Sequence, residues 1–528
     1  MDASELLALR SALKTELAAF FNFFDSGGVD HVNGGFCCGL AHNGRRLSGL
    51  KFIWFNGRGV WTYAKAYNTR TGLLAARDWE PPERLAGGRD TNMSIYLHRV
   101  AIQGLDFALK HGRVEGATDW VVEMSATGEI ITPAEPNYIP TTGYGMAFVA
   151  EGCIEAFFAL LTLDNPNPHV HHELNPPLLL GINLNAPLVL GIGLTLLRRF
   201  VRMMDDPDRP GDKGVWPVCT KGMRCLGHYM ICMNLTRQVY NAVVEAKVRG
   251  IDFKMVLQGM AEVDDAVATE PPSKKQAVGT DDDPYTPILA ELTALLDRMI
   301  DCILGPFLHP EYNLLSETLS HDFSRPHDGN YDLIYLGHAV ETLWMLMALA
   351  EERHDESLYA RAAYLFKRHV DCAWDPLCGG YFRGVYAKEW KPLLDADAKV
   401  KWMHDEVCVG CMMLLAHPPL DVPTASSSSS STEDDVPSGG EAMVTWAART
   451  LRKTREYVEK NFRLASWPGS WKVGGDRYVK PDPDPDTAIS GYNMGCKSLP
   501  NRVEHYHHPR MLMLGIGAVD RAIARLNK

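Results

Sequence analysis

A histidine and a carboxylate stand three residues apart in LGHAVETLW, residues 336–344, as His338 and Glu341. On a helix that spacing puts them at neighbouring positions of one face. A carboxylate beside an imidazole fixes its tautomer and raises its basicity, which is the arrangement of a general base. A surface His–Glu pair has the same spacing. Here Ala339, Val340, Leu343, Trp344 and Met345 make the helix apolar nearly all round, so a polar pair on it needs satisfying partners. YHHPR, residues 506–510, holds two more histidines. A proline pushes the residue before it out of helical geometry, so His508 is expected to be extended. Tyr506 and His507 then stand at the start of the apolar helix MLMLGIGAV, where a side chain can project into a cavity.

Two further stretches suit sugar recognition. In GLKFIWFNGRGVWTYAKAYN, residues 49–68, Arg58 lies between two glycines and between Trp54 and Trp61. Aromatic rings can stack on a sugar while a guanidinium grips its oxygens. An exposed arginine at a helix start fits the same spacing. In AKVKWMHDEVCVG, residues 398–410, Trp402, His404 and Glu406 precede an apolar helix. His404 reads as a ligand, a binding residue or a polar cap.

The elements that must position these residues are helices. SELLALRSALKTELAAFFNFF, YLGHAVETLWMLMALAEERHD, SLYARAAYLFKRHVDCAW and AARTLRKTREYVEKNF all carry apolar residues at helical spacing. Short Gly/Pro/Asn/Asp loops separate them, and no run alternates with period two for long. Repeated helices with short loops predict paired antiparallel helices in an all-α solenoid or ring. HVNGGF (31–36) and WDPLCGGYF (374–382) share Gly-Gly-aromatic, one copy per half, a hint of internal repetition. Residues 262–284 and 423–441 are polar, acidic and rich in Pro or Ser, and are predicted to be disordered insertions within a single domain, 1–528.

Composition narrows the function. The 528-residue chain has a net charge of −12 and no basic stripe, which argues against nucleic acid. Its twelve cysteines are thinly spread. Cys408 and Cys411 form a lone CxxC in an apolar run, so buried thiols are expected rather than zinc, and no metal site is predicted. A reducing compartment follows. The first twenty residues read as an amphipathic helix and not as a signal peptide. The apolar stretch 176–197 is interrupted by Asn183, Asn185 and Pro187, so a loop entering a buried helix is expected and no membrane span. The localisation expected is cytoplasmic.

Taken together and in order, these motifs resemble those of the N-acylglucosamine 2-epimerases. GGF followed by KFIWFNGRGVWTYAKAYN is similar to the family's N-terminal signature. LGHAVETLW is similar to its GHxxE helix, WDPLCGGYF to its WD…GG-aromatic loop and KWMHDE to its W-x-H-x-E segment. YHHPR is similar to its FHVPR, with His508 in the place of the valine. CLGHYMICMNL, residues 225–235, resembles its M-x-x-N-L helix, Asn234 matching. The resemblance implies an (α/α)6 barrel and inversion at C2 of a free reducing sugar, N-acetylglucosamine to N-acetylmannosamine. Relatives act on cellobiose or isomerise mannose. It implies His338 and His507 as the two acid/base residues, Arg58 on the C1 oxygen and Glu341 as an orienting group. Trp54, Trp61, Asn234, Trp402, His404 and Glu406 would line the site. No cofactor is needed; ATP is associated with animal members as an activator, and many relatives are homodimers. The competing readings are a disaccharide 2-epimerase or aldose–ketose isomerase, and a sugar- or protein-binding module without catalysis. If each histidine serves one face of C2, His338→Ala and His507→Ala will each abolish turnover while circular dichroism reports an intact fold.

Overall fold

Apolar residues at helical spacing close into helices, some of them capped at the start. In the computed structural model, Asn185 accepts the Leu188 N–H at 3.0 Å and Asp355 that of Leu358 at 2.9 Å, capping two of them. The structure describes residues 1–69, 93–113, 120–131, 143–161, 184–208, 219, 221–263, 283–325, 332–388, 391–392, 399–420, 440–463, 474–475 and 505–527. Their helices are α1 (Ala3–Gly27), α2 (Ile53–Asn68), α3 (Met93–His111), α4 (Gly143–Leu161), α5 (Ala186–Asp205), α6 (Leu226–Val248), α7 (Phe253–Val263), α8 (Tyr285–Leu304), α9 (Leu336–Arg353), α10 (Glu356–Ala373), α11 (Lys401–Ala416), α12 (Gly440–Asn461) and α13 (His507–Leu526). The all-α expectation holds; the strands among the described residues are two or three residues long.

The chain divides into two compact units. One comprises Met1–Phe23, Arg224–Met230 and Ile303–Lys528; the other comprises Phe24–Met223 and Ile231–Cys302. In the first, α9 packs on α10 and α11, and α11 also packs on α12 and α13. In the second, α2 packs on α3 and α4, α4 on α5, and α5 on α7. Of the apolar stretch 176–197, residues from 184 are described, and α5 is a buried helix as expected. Helix α4 is long and apolar enough to cross a membrane, and 94% of its apolar window is buried within the protein. Most of the two polar insertions lies outside the described residues. Their edges differ from the expectation: Glu262 and Val263 end α7, and Gly440 and Glu441 begin α12. Cys408 and Cys411 are buried thiols on α11, and burial pushes Cys408 up to about 12.

The Gly-Gly motif is a structural repeat. Asp30 N–H bonds Gly35 O at 3.0 Å and Gly34 N–H bonds Asp30 O at 2.9 Å. Asp375, Gly379 and Gly380 repeat these bonds at 2.8 and 3.0 Å. Gly34, Gly35, Gly379 and Gly380 all have φ between 71° and 81°, which favours glycine. A buried lysine from the strand before the next helix then meets the loop aspartate. Lys51 of β1 (Lys51–Phe52) lies 2.8 Å from Asp30, and Lys399 of β2 (Lys399–Val400) lies 3.0 Å from Asp375. A related loop joins Leu308 and Leu315, with Asn313 at φ 55°; it lacks Gly-Gly and so escapes sequence detection.

Burial alone would raise the Asp30 carboxyl. The Lys51 hydrogen bond and charge, aided by Asn33, instead bring it from 3.8 to about 2. Its folded value is depressed, so its contribution is full above about pH 4 and is lost as pH falls towards 2. Asp30→Asn is expected to cost about 1–2 kcal/mol at pH 7, and urea titrations should show the gap from wild type narrowing at pH 3.

Candidate active site

Four helices that carry predicted site residues, α2, α9, α11 and α13, begin without a side-chain cap. The first two turns of the last three, all in one unit, bring five of the predicted residues together: His338, Glu341, Trp402, Glu406 and His507. The Trp402 ring is 6.0 Å from that of His338 and 5.1 Å from that of His507, centroid to centroid. Both imidazoles thus lie beside its indole. A Cβ at residue 337 would stand 2.2 Å from the Trp402 ring, so only glycine lets the start of α9 approach it.

Each histidine has its own carboxylate. His507 Nδ1 is 2.7 Å from Glu406 Oε1, and His338 Nδ1 is 3.0 Å from Glu317 Oε1. An ionised carboxylate only accepts, and the two protons of Arg510 Nη2, 3.1 Å from His507 Nδ1, go to Glu341 and Glu406, so Nδ1–H donates in both pairs and Nε2 is the basic nitrogen of each ring. The expected pairing of His338 with Glu341 is therefore corrected. Glu341 on the same helix turns to Arg510, and the partner of His338 comes from the loop before α9. Glu317 is held there by its main chain: it donates to Leu333 O and accepts from Leu226 N–H, both at 2.8 Å. Burial raises the Glu317 carboxyl above its ordinary value, against the pull of His338.

Arg510 binds the second carboxylate pair. Its Nη2 donates to Glu341 and, at 2.7 Å, to Glu406, while Nη1 reaches the Tyr506 hydroxyl at 3.2 Å. Trp344 Nε1 donates to the other Glu406 oxygen at 2.7 Å. Burial opposes the charge on Glu341, but Arg510 and then His507 hold its carboxyl below the usual range. Burial likewise opposes the charge on Arg510, which Glu406 and Glu341 hold well above its ordinary value. Glu341, Glu406 and His507 offer ligand atoms within 4.8 Å of one another, a spacing that could gather a cation. Arg510 already supplies positive charge there.

Of the remaining predicted residues, His404 lies in the same unit and the others belong to the second unit. His404 was expected to line the site, but it is fully buried. Its Nδ1 faces Val400 O at 2.8 Å, its Nε2 accepts the Tyr381 N–H at 3.2 Å, and its ring stacks on Tyr457. Burial lowers its imidazole to about 4, so it is a neutral structural histidine. Asn56 does the same work in the other unit, accepting the Phe36 N–H at 2.9 Å. Counting from Lys51 and Lys399, Trp54 matches Trp402, Asn56 matches His404 and Arg58 matches Glu406. Arg58, Trp54, Trp61 and Asn234 belong to that other unit. The Arg58 guanidinium lies 4.0 Å from the Phe148 ring, and Trp61 is buried. The Asn234 side chain bonds Glu151 at 2.7 Å and Arg237 at 3.0 Å. His508 is helical rather than extended: Pro509 lies in the first turn of α13, where a missing N–H costs no helical bond.

Sequence reasoning missed Glu317, Arg510 and Trp344 as site residues. The spacing of His507 and Arg510, three apart at a helix start, could have found the arginine. Glu317 carries no local signal. Glu317→Leu removes the acceptor, so the ¹⁵N spectrum of His338 should lose its Nδ1–H tautomer and kcat should fall about 10²-fold or more.

A family model described as N-acylglucosamine 2-epimerase (GlcNAc 2-epimerase) matches residues 289–420, a stretch that includes Glu317, His338, Glu341, Trp402 and Glu406. No curated protein matches the chain in sequence. Among solved structures, the chain is similar to a sugar epimerase from a ruminal bacterium, with TM-score 0.57 and 14% identity, covering 96% of this chain and 98% of that one. It is similar to cellobiose 2-epimerase from Spirochaeta thermophila, with TM-score 0.57 and 12% identity over 98% of each chain. A D-mannose isomerase gives TM-score 0.55 and 14% identity, again over 98% of each chain. At these identities the likeness shows the fold, the (α/α)6 barrel of the sugar epimerases. The match over residues 289–420 and the shared fold together support an isomerase (epimerase) enzyme.

Proposed function

We propose that the protein is a sugar 2-epimerase that interconverts N-acetyl-D-glucosamine and N-acetyl-D-mannosamine. The observation that carries this reading is the pair of histidines beside Trp402, each with a buried carboxylate on Nδ1. Ring opening makes C1 an aldehyde, and the C2 proton becomes acidic. One histidine takes that proton on Nε2, leaving an enediolate-like anion, and its carboxylate stabilises the imidazolium formed. The other returns a proton to the opposite face of C2. No atoms are gained or lost and nothing is oxidised. Trp402 offers an apolar platform for the sugar beside both histidines. Arg58 is assigned to the C1 oxygen, where negative charge develops. Glu341 acts through Arg510, which orients Glu406 and with it His507.

A second reading places cellobiose or a free hexose in the site, by 2-epimerisation or aldose–ketose isomerisation; the similarity to cellobiose 2-epimerases and a mannose isomerase favours keeping it. The same enediolate serves both. The proposal includes no required cofactor, ATP as an activator to be tested, a homodimer and a cytoplasmic location. It is tested by incubating the protein with N-acetylglucosamine in D₂O, with and without ATP, and following C2 by NMR. N-acetylmannosamine carrying deuterium at C2 is the expected product. Exchange with cellobiose, glucose or mannose alone would transfer the proposal to the second reading, and no exchange with any of them would leave a binding module.

A further inference from the structure

Behind His507 lies a second histidine cluster that the proposed reaction does not use. α11 presents Asp405 and Glu406 in succession, and α13 opens with His507 and His508. They meet pairwise: Glu406 with His507, and Asp405 with His508 at 3.3 Å. Lys401, in the first turn of α11, completes the second pair. Its Nζ donates to both Asp405 oxygens at 2.8 and 2.9 Å and lies 2.7 Å from His508 Nδ1. An ammonium only donates, and His508 Nδ1 lies within hydrogen-bond distance of it. His508 Nδ1 therefore accepts, and its ring is neutral with the proton on Nε2. The 3.3 Å approach to Asp405 is then a contact between two acceptors bridged by Lys401. All three side chains are buried. The Phe20 ring of α1 packs edge-on at 6.4 Å from His508. Glu16 of the same helix pairs with Arg455 of α12 at 2.5 Å. Burial first, and then the Lys401 charge, hold His508 below its ordinary value.

We propose that His508 is a positioning residue, locked by Lys401 and Asp405, that fixes the first turn of α13 and so aims the His507 ring at Glu406. Neither α11 nor α13 has a side-chain cap to hold its start. The lock ties the two uncapped turns together one residue away from His507. A valine, which the motif resemblance puts at this position, could not accept from Lys401. The chain therefore has a polar tie where an apolar contact would otherwise stand.

The test uses the full chain labelled with ¹⁵N-histidine. One neutral Nε2–H imidazole signal, absent from His508→Asn, is expected in the wild type. Asn places an amide oxygen where Nδ1 stood and can still accept from Lys401, so His507 should keep its Nδ1–H tautomer. In His508→Val, His507 should lose it. The kinetic arm rests on the epimerase reading: kcat on N-acetylglucosamine should fall about tenfold in His508→Val with KM within about twofold, and His508→Asn should recover most of it. A folded His508→Val with wild-type His507 signals and kcat would overturn the proposal, as would an Nδ1–H tautomer at His508 in the wild type. If His508→Val does not fold, the wild-type tautomer and the His508→Asn spectrum decide. If no sugar is turned over, the epimerase reading fails, and the spectra alone judge the lock.

Discussion

Glu406 is the group on which the site depends. It is fully buried, and its two oxygens face His507, Arg510 and Trp344. A buried carboxylate is costly unless every lone pair has a partner. Here one oxygen takes a guanidinium and an imidazole, and the other an indole N–H. These bonds join α9, α11 and α13, so the helix packing and the electrostatics enforce each other. Removing Arg510 would strand a buried charge, which costs about 3–5 kcal/mol. Arg510 also pulls Glu341 away from the histidine three residues before it. That is why His338 takes its carboxylate from a loop.

The Asp–Lys loop modules lead into α2 and α11. In each, Gly-Gly permits the left-handed turn, the loop aspartate accepts from two following amides, and a buried lysine closes the ring of contacts. The next helix then starts directly after the lysine's strand. The residues three, five and seven beyond that lysine fall at equivalent places in both units. In one unit they are Trp402, His404 and Glu406; in the other, Trp54, Asn56 and Arg58. The middle position is structural in both, because it accepts an amide from the Gly-Gly loop. The repeat thus separates a scaffold histidine from the two beside Trp402, a distinction that motif spacing does not make.

Much of this was legible in the sequence. Helical periodicity marked α1, α9, α10 and α12, because an amphipathic or fully apolar helix writes its buried face at fixed spacing. The Gly-Gly turns were legible because only glycine adopts their backbone angles cheaply. The histidines, Trp402 and Glu406 stood out through residue type and order. His404 stood out equally and is a core residue: sequence gives the side chain but not which of its nitrogens the backbone has claimed.

By itself, then, the sequence determined the helical class, the repeated turns and the set of residues able to move a proton. The partners were decided by tertiary structure. Glu317 reaches His338 across 21 residues, Glu406 reaches His507 across 101, and Glu341 reaches Arg510 across 169. The physical reason is that local periodicity fixes only the face on which a side chain lies. Which charge it meets there depends on helices brought together from distant parts of the chain, and on the requirement that no buried charge be left alone.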